Sequence, residues 1–193
     1  MLTPRKYLKI LVSGPYASGK TTFVKTLCGK ILTTEARVST PGESKIKRTT
    51  TVAFDYGKTV VDGTPVYLFG TPGQTRFQFM WKILAYGIHG YIYMVDTSTV
   101  QEVLRARALY NYMRSIGDYP HIIAANKQDL EHAVPPSTVA RLFNVPPMYV
   151  VPLIALRRDS AMSVLKYAVK IITRSMERGK ETVEVGQPSR GSG

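Results

Sequence analysis

The chain is poor in cysteine, in acid and in long apolar runs, and each shortage excludes something. A single cysteine, Cys28, rules out an internal disulfide framework and fits a reducing cytosol. The uncharged apolar stretch Ile83 to Val95 is 13 residues long and is broken by Gly87, His89 and Gly90, too short for a membrane-spanning helix. Met1-Leu-Thr-Pro-Arg-Lys6 contains no apolar segment of the signal-peptide kind, so secretion is not expected. The chain does not begin Met-Gly and has no cysteine near its end, so neither a myristoyl nor a prenyl anchor is expected. Its three histidines, His89, His121 and His132, lack metal-ligand spacing and are expected to be structural. Acid is the most telling shortage: 13 Asp and Glu stand against 26 Lys and Arg, leaving +13 and a pI near 9.9. Such an excess calls for a polyanionic partner, whether nucleic acid, an anionic membrane surface or an acidic protein.

What is present suits one α/β domain. The chain has 193 residues, 44% of them hydrophobic and 20% charged, enough for a sizeable core. Leu8–Val12 reads as a buried strand ending at Ser13-Gly14, and Gly19–Leu27 as the helix after it. Lys30–Arg48 is polar and basic without periodicity, and reads as a long functional loop. Thr51–Val61 and Val66–Phe69 flank Asp62-Gly63, a strong hairpin signal. Helices are expected over Thr75–Tyr86, Thr99–Ile116 and Ser137–Phe143, with strands over Gly90–Val95, His121–Ala125 and Met148–Pro152. Asp159 is placed to N-cap a last helix running to about Glu177. The alternation argues a mostly parallel sheet with helices on both faces. Residues 1–178 are expected to form one domain, and the polar, Gly-rich 179–193 a disordered tail.

Gly14-Pro-Tyr16-Ala17-Ser18-Gly19-Lys20-Thr21 matches G-x-x-x-x-G-K-[ST] in full, between a strand and a helix. Backbone N–H groups of such a loop, continuing into Thr22, wrap phosphates. Lys20 adds a point charge and the Thr21 hydroxyl an oxygen ligand for Mg²⁺. Asn126-Lys127-Gln128-Asp129 follows the strand His121–Ala125. The Asp129 carboxylate can accept from both the ring N–H and the exocyclic amine of guanine, a pair adenine does not offer. The Asn126 amide can tie this loop to the phosphate loop, and the Lys127 stem can cover the base face. The pattern points to a guanine nucleotide, GTP or GDP.

With these motifs and Thr71-Pro-Gly73-Gln74, the chain from about Leu8 to Met176 resembles the Ras-like small GTPases. Phe69-Gly-Thr-Pro-Gly-Gln-Thr-Arg-Phe77 and Thr51-Val-Ala-Phe-Asp-Tyr-Gly57 are most similar to the prokaryotic branch related to the gliding-motility protein MglA. The resemblance implies a P-loop NTPase fold with a mixed, mostly parallel six-stranded sheet, and a cytoplasmic switch between GTP and GDP states with Mg²⁺. It implies that Gly73 meets the γ-phosphate, that Gln74 orients the attacking water, and that the backbone N–H of Ala155 binds the guanine oxygen. It also implies a Thr that reaches Mg²⁺ when a γ-phosphate is present. Arf proteins carry Thr-Val-Gly-Phe-Asn-Val where this chain has Thr51-Val-Ala-Phe-Asp-Tyr56, so Thr51 is the first choice and Thr50 the second.

Three positions depart from the pattern. Gly70 stands where relatives have the Asp that orients Mg²⁺ through water. If Asp62-Gly63 centres a two-residue turn, Gly70 lies opposite Asp55, with Cβ positions ~5 Å apart on one face. Asp55 is therefore a candidate to supply the missing carboxylate; the alternative is a solvent-facing Asp at a strand end. Tyr16 occupies a loop position where bulk obstructs an external arginine, which implies slow hydrolysis; Arg48 is a candidate arginine in cis. Leu156 replaces the Lys of S-A-K beside the base. Arg76, Phe77, Phe79 and Trp81, just after Gln74, suit a protein effector or activator, by resemblance roadblock-type. Lys166, Lys170, Arg174 and Arg178 form a basic stripe on the last helix that suits an anionic membrane or acidic protein surface at which the protein would sit peripherally. The expected function is a GTP-hydrolysing switch. A GTP-dependent RNA- or ribosome-associated factor and a nucleotide-binding module with negligible turnover stand as alternatives; no RNA-binding motif accompanies the charge.

Overall fold

A computed structural model describes the backbone of residues 7–29, 32–39, 49–74 and 77–185, and the side chains of 7–29, 54–74 and 77–178. Seven strands form one sheet: β1 (Leu8–Ser13), β2 (Leu32–Ser39), β3 (Thr49–Val61), β4 (Thr64–Gly70), β5 (Gly90–Asp96), β6 (His121–Asn126) and β7 (Val150–Leu153). The helices are α1 (Lys20–Cys28), α2 (Phe79–Leu84), α3 (Val100–Ile116), α4 (Pro136–Phe143) and α5 (Arg158–Val185). The strand order is β2-β3-β4-β1-β5-β6-β7. The two pairings of β3, with β2 and with β4, are antiparallel, and all others are parallel.

The central strands are apolar on both sides because helices cover both faces. On one face Leu8, Ile10 and Val12 of β1 pack with Phe23, Val24 and Leu27 of α1 and with Ala161, Leu165 and Ala168 of α5. On the other, Leu11, Tyr93 and Val95 pack with Trp81 of α2, Val103 and Ala106 of α3, and Val139 and Phe143 of α4. β5, between β1 and β6, is buried at every residue. Thr99 caps α3, its side-chain oxygen accepting from Glu102 N–H at 3.2 Å. The parallel strands β1, β5 and β6 all end at one rim, where the loops that carry the motifs emerge.

The β3–β4 hairpin has the expected register. Val61 pairs with Thr64 across Asp62 (φ 46°) and Gly63 (φ 80°), the two left-handed residues of a primed two-residue turn. Asp55 is consequently opposite Gly70.

Four expectations are corrected. The sheet has seven strands because Leu32–Ser39, inside the segment read as a loop, pairs antiparallel with β3 from Leu32↔Tyr56 to Ser39↔Thr49. Leu32, Thr34, Ala36 and Val38 alternate with Thr33, Glu35, Arg37 and Ser39, a period-2 pattern that charge and hydroxyls obscure. α2 starts at Phe79, later than Thr75. α5 starts at Arg158, so Asp159 lies in its first turn, paired with Arg157 at 2.8 Å. The same helix continues to Val185, past the expected end at Glu177. Arg48, Arg76 and the tail from residue 186 lie outside the described residues. No helix among the described residues is long and apolar enough to cross a membrane.

Candidate functional site

The loop Gly14–Gly19 leaves the end of β1 and delivers Lys20 as the first residue of α1. Its backbone is committed to a cradle: Gly14 (φ 144°), Ala17 (φ 63°) and Gly19 (φ 95°) all have positive φ. At Gly19 a Cβ would stand 2.3 Å from the Asn126 amide nitrogen, so the position tolerates no side chain. Lys20 is 7% exposed and lies under the loop, its ammonium donating to Gly14 O at 2.9 Å, Pro15 O at 2.5 Å and Ser18 Oγ at 3.3 Å. Burial pushes its pKa down to about 8, against an opposing pull from Asp55.

Around it opens a cavity of about 550 Å³, lined by Tyr16, Ala17, Gly19 to Thr22, Asp55, Gly70, Gly73 and Gln74 among others. The Thr21 hydroxyl donates to Asp55 Oδ2 at 2.5 Å. A Cβ on Gly70 would stand 3.4 Å from that same carboxylate oxygen. β3 thus delivers a carboxylate to the side of Thr21 that β4, ending in glycine, leaves open. Two oxygen donors side by side are the chemistry a hard divalent cation takes, so Thr21 and Asp55 fit Mg²⁺. Among the described residues no cluster of three or more His, Cys, Asp and Glu offers another metal site.

Gly73 packs on the loop: a Cβ there would come within 2.7 Å of Tyr16 N and 2.8 Å of Lys20 Nζ. Tyr16 is 72% exposed at the cavity mouth. Gln74, also exposed, lines this cavity and a second of about 870 Å³ running between the loop and α3. Thr51, in β3, pairs with Arg37 of β2 and stands four residues from Asp55, roughly 13 Å along an extended strand. Its side chain lies outside the described residues.

The base loop is built on Asn126, the buried last residue of β6. Its amide nitrogen donates to Ser18 O at 2.9 Å, and its oxygen accepts from Ala155 N–H at 2.9 Å. One side chain therefore joins three loops. The Ala155 N–H, expected to face the base, is engaged by Asn126. Lys127 takes the left-handed conformation (φ 73°) and its ammonium lies 2.5 Å from Asp96 Oδ2. Burial disfavours the Asp96 carboxylate, but hydrogen bonds from Lys127 and Ser98 outweigh it and hold the group below its ordinary pKa. Gln128 turns inward to Thr97 Oγ1 (2.8 Å) and Val134 O (3.0 Å), which leaves Asp129 exposed at the rim. Leu156 is 76% exposed.

Sequence reasoning missed Asp96, Thr97 and Thr71. The signal for the first two was Asp96-Thr97 directly after the apolar strand Gly90–Val95, at the same rim as the other motifs. Thr71, buried, donates to Ser13 Oγ at 3.4 Å and lines the 550 Å³ cavity.

Trp81 is a correction. It is 0% exposed, its indole N–H donates to Pro72 O at 2.9 Å, and its ring lies 6.0 Å from that of Tyr112. It anchors the Thr71–Gln74 loop to the core and is not a surface for a partner. Phe77 and Phe79 are half-buried.

A family model described as a conserved hypothetical ATP binding protein matches residues 30–187, most of the chain. The chain belongs to that family. The match begins beyond the phosphate loop and takes in Thr71–Gln74 and Asn126–Asp129. The chain is also similar to an uncharacterized protein of Methanocaldococcus jannaschii, 34% identical over 91 residues, 47% of this chain and 52% of that protein. It is 27% identical over 125 residues to ADP-ribosylation factor-related protein 1 of Bos taurus and 28% identical to that of Rattus norvegicus, in each case across 63% of this chain and 60% of the relative. The matched stretches thus span between half and three fifths of these relatives' own length.

Proposed function

We propose that the protein is a guanine-nucleotide-binding molecular switch that holds GTP or GDP with Mg²⁺ and hydrolyses GTP slowly. The observation that carries this reading is the Asn126 amide, which joins the phosphate loop at Ser18 to the base loop at Ala155 and so makes one nucleotide-sized site of them. The family's description names ATP, but the base-recognising residues favour guanine. Asp129 is an exposed carboxylate at the rim, with Lys127 pinned to Asp96 beside it, and such a group accepts two parallel N–H donors. The similarity to ADP-ribosylation factor-related protein 1 over 125 residues supports this reading.

In this reading Lys20, now bonded to its own loop, transfers its hydrogen bonds to the phosphates. Thr21 and Asp55 hold Mg²⁺, which neutralises phosphate charge. Gly73 moves off Tyr16 to make room for a γ-phosphate, and Gln74 orients water against it. Thr51 would reach the metal only if β2 and β3 rearranged, and that would couple these two strands to the γ-phosphate. A partner that reads Phe77 and Phe79 would sense the Thr71–Gln74 loop. The Thr51–Gly57 and Phe69–Phe77 segments support the MglA-like branch.

The second reading, nucleotide binding with negligible turnover, draws on Tyr16, which stands at the mouth where an activating arginine would enter. Two measurements test both readings. Asp129→Asn replaces an acceptor by a donor and is expected to weaken GDP at least ~100-fold while raising affinity for xanthosine diphosphate, whose base carries an oxygen at that edge. Unchanged GDP affinity, or wild-type preference for ADP, refutes the guanine assignment. Single-turnover GTP hydrolysis that Gln74→Leu abolishes supports the switch; no turnover in the wild type leaves the binding module.

A further inference from the structure

The sheet has a second concave end, where its parallel strands begin, opposite the rim of nucleotide loops. A cavity of about 410 Å³ opens there between the end of α3, the turn into β6 and the far half of α5. Three guanidinium groups line it, Arg114, Arg174 and Arg178, against one carboxylate, Asp118. Tyr119 and Tyr149 supply aromatic wall.

The floor is an ordered relay. The Tyr110 hydroxyl lies 2.7 Å from His121 Nε2, and His121 Nδ1 lies 2.9 Å from Tyr119 O. A carbonyl only accepts, so Nδ1 carries the proton and Nε2 accepts from Tyr110. Burial lowers the His121 pKa and favours this neutral form. With its O–H donated to His121, the Tyr110 oxygen has only lone pairs to offer Arg114, and that neighbour favours the charged guanidinium. Arg114 is exposed at the cavity. Beneath it Tyr91 stacks on His121, centroids 4.3 Å apart and planes within 4°. The Tyr91 hydroxyl is fully buried with no hydrogen-bond partner among the described residues, and Arg114 and Asp118 are its charged neighbours.

One guanidinium beside this relay, a second from α5 in the same lining and flanking aromatic rings make a complement to a phosphate carried on an apolar or planar group. Guanidinium forks match phosphate oxygens two at a time, and the tyrosines take the remainder. We propose that this cavity binds an organic phosphate monoester, its phosphate between Arg114 and Arg174 and its remainder against Tyr119 and Tyr149. Lys170 and Lys166, one and two turns before Arg174 on α5, line the surface cavity beside it and extend the positive field. A soluble ester and a lipid headgroup share this chemistry, and the test separates the two sources.

Phenyl phosphate is the soluble probe, followed through the methyl signals of methionine. Met148 lines this cavity, while the Met94 methyl lies 3.5 Å from where a Cβ on Gly19 would stand, so the two report the two ends of the sheet separately. The expected result is a saturable Met148 shift in the GDP-loaded protein. Arg114→Gln with Arg174→Gln weakens it at least tenfold, whereas Lys166→Gln leaves it within twofold. All three residues are exposed, so the core survives the changes. No saturable Met148 shift, or an equal loss on Lys166→Gln, overturns the site. The second arm is flotation with phosphatidylcholine vesicles carrying phosphatidic acid, against vesicles of equal charge carrying phosphatidylserine. Retention specific to phosphatidic acid and lost in the double variant identifies a lipid headgroup. Phenyl phosphate binding without flotation identifies a soluble ester.

Discussion

Moving one carboxylate between two strands tests the Mg²⁺ assignment more sharply than removing it. Asp55 and Gly70 are directly opposed, and a Cβ on Gly70 would stand 3.1 Å from the Asp55 Cβ. Asp55→Ala removes the partner of the Thr21 hydroxyl and the carboxylate proposed for the metal. A hydrogen bond to a charged group is worth about 1.5–3 kcal/mol, which predicts GDP release accelerated roughly 10- to 150-fold. Gly70→Asp alone places a second carboxylate about 4 Å from the first. At an effective dielectric of about 20 the repulsion is about 4 kcal/mol before any steric cost, so this variant is expected to fold less stably and to bind nucleotide poorly. The double variant returns one carboxylate to the site from the neighbouring strand and is expected to recover GDP retention to within about tenfold of wild type. The two changes are thus strongly non-additive, as contacting positions should be. The assay is the dissociation rate of a fluorescent GDP in excess Mg²⁺ and again in chelator, where all four proteins should converge. Wild-type release from Asp55→Ala in Mg²⁺, or no recovery in the double variant, refutes the reasoning.

Other outcomes follow from the same geometry. Lys20, with its pKa near 8, is half deprotonated at about that pH, and bound phosphates raise the pKa again. GDP binding there should take up a proton, seen as a binding enthalpy that differs between buffers of different ionisation heat, an effect that Lys20→Met removes. The same depression means the folded chain loses this proton before the unfolded one, so the group's contribution to unfolding free energy rises between pH 8 and its ordinary 10.5. Trp81→Phe leaves Pro72 O without its donor and should cost about 1–3 kcal/mol in urea unfolding. Asn126→Ala strips a partner from both Ser18 O and Ala155 N–H, and should cost about 2–5 kcal/mol and weaken GDP at least ~30-fold; Asn126→Asp, which keeps the acceptor for Ala155, should fall between.

The motifs were legible because they are local. A phosphate loop is contiguous and its glycines announce the backbone they need; Asp62-Gly63 announces a two-residue turn, and from it the Asp55–Gly70 register followed by counting. β2 escaped because an edge strand with Thr, Glu, Arg and Ser on alternate positions carries little apolar signal against a basic background. Trp81 escaped because composition tells that aromatics cluster but not which faces the core. The Asn126 bridge was anticipated at its phosphate-loop end and not at Ala155, since the second partner depends on where β7 sets down its chain. The cavity at the opposite end was illegible: Tyr91, Tyr110, His121 and Arg174 come from four elements that only the folded sheet assembles.

Asn126 also bears on how the site weighs fragments of its ligand. Because one side chain spans the loops, a base and a diphosphate held by a ribose behave as two modules on a short, stiff linker, and each end meets its subsite at a high effective concentration once the other is docked. Guanosine or pyrophosphate alone engages one half and forgoes that gain. The intact nucleotide should therefore bind far more tightly than the two fragments' separate affinities would lead one to add up, and the surplus should shrink when the amide is cut.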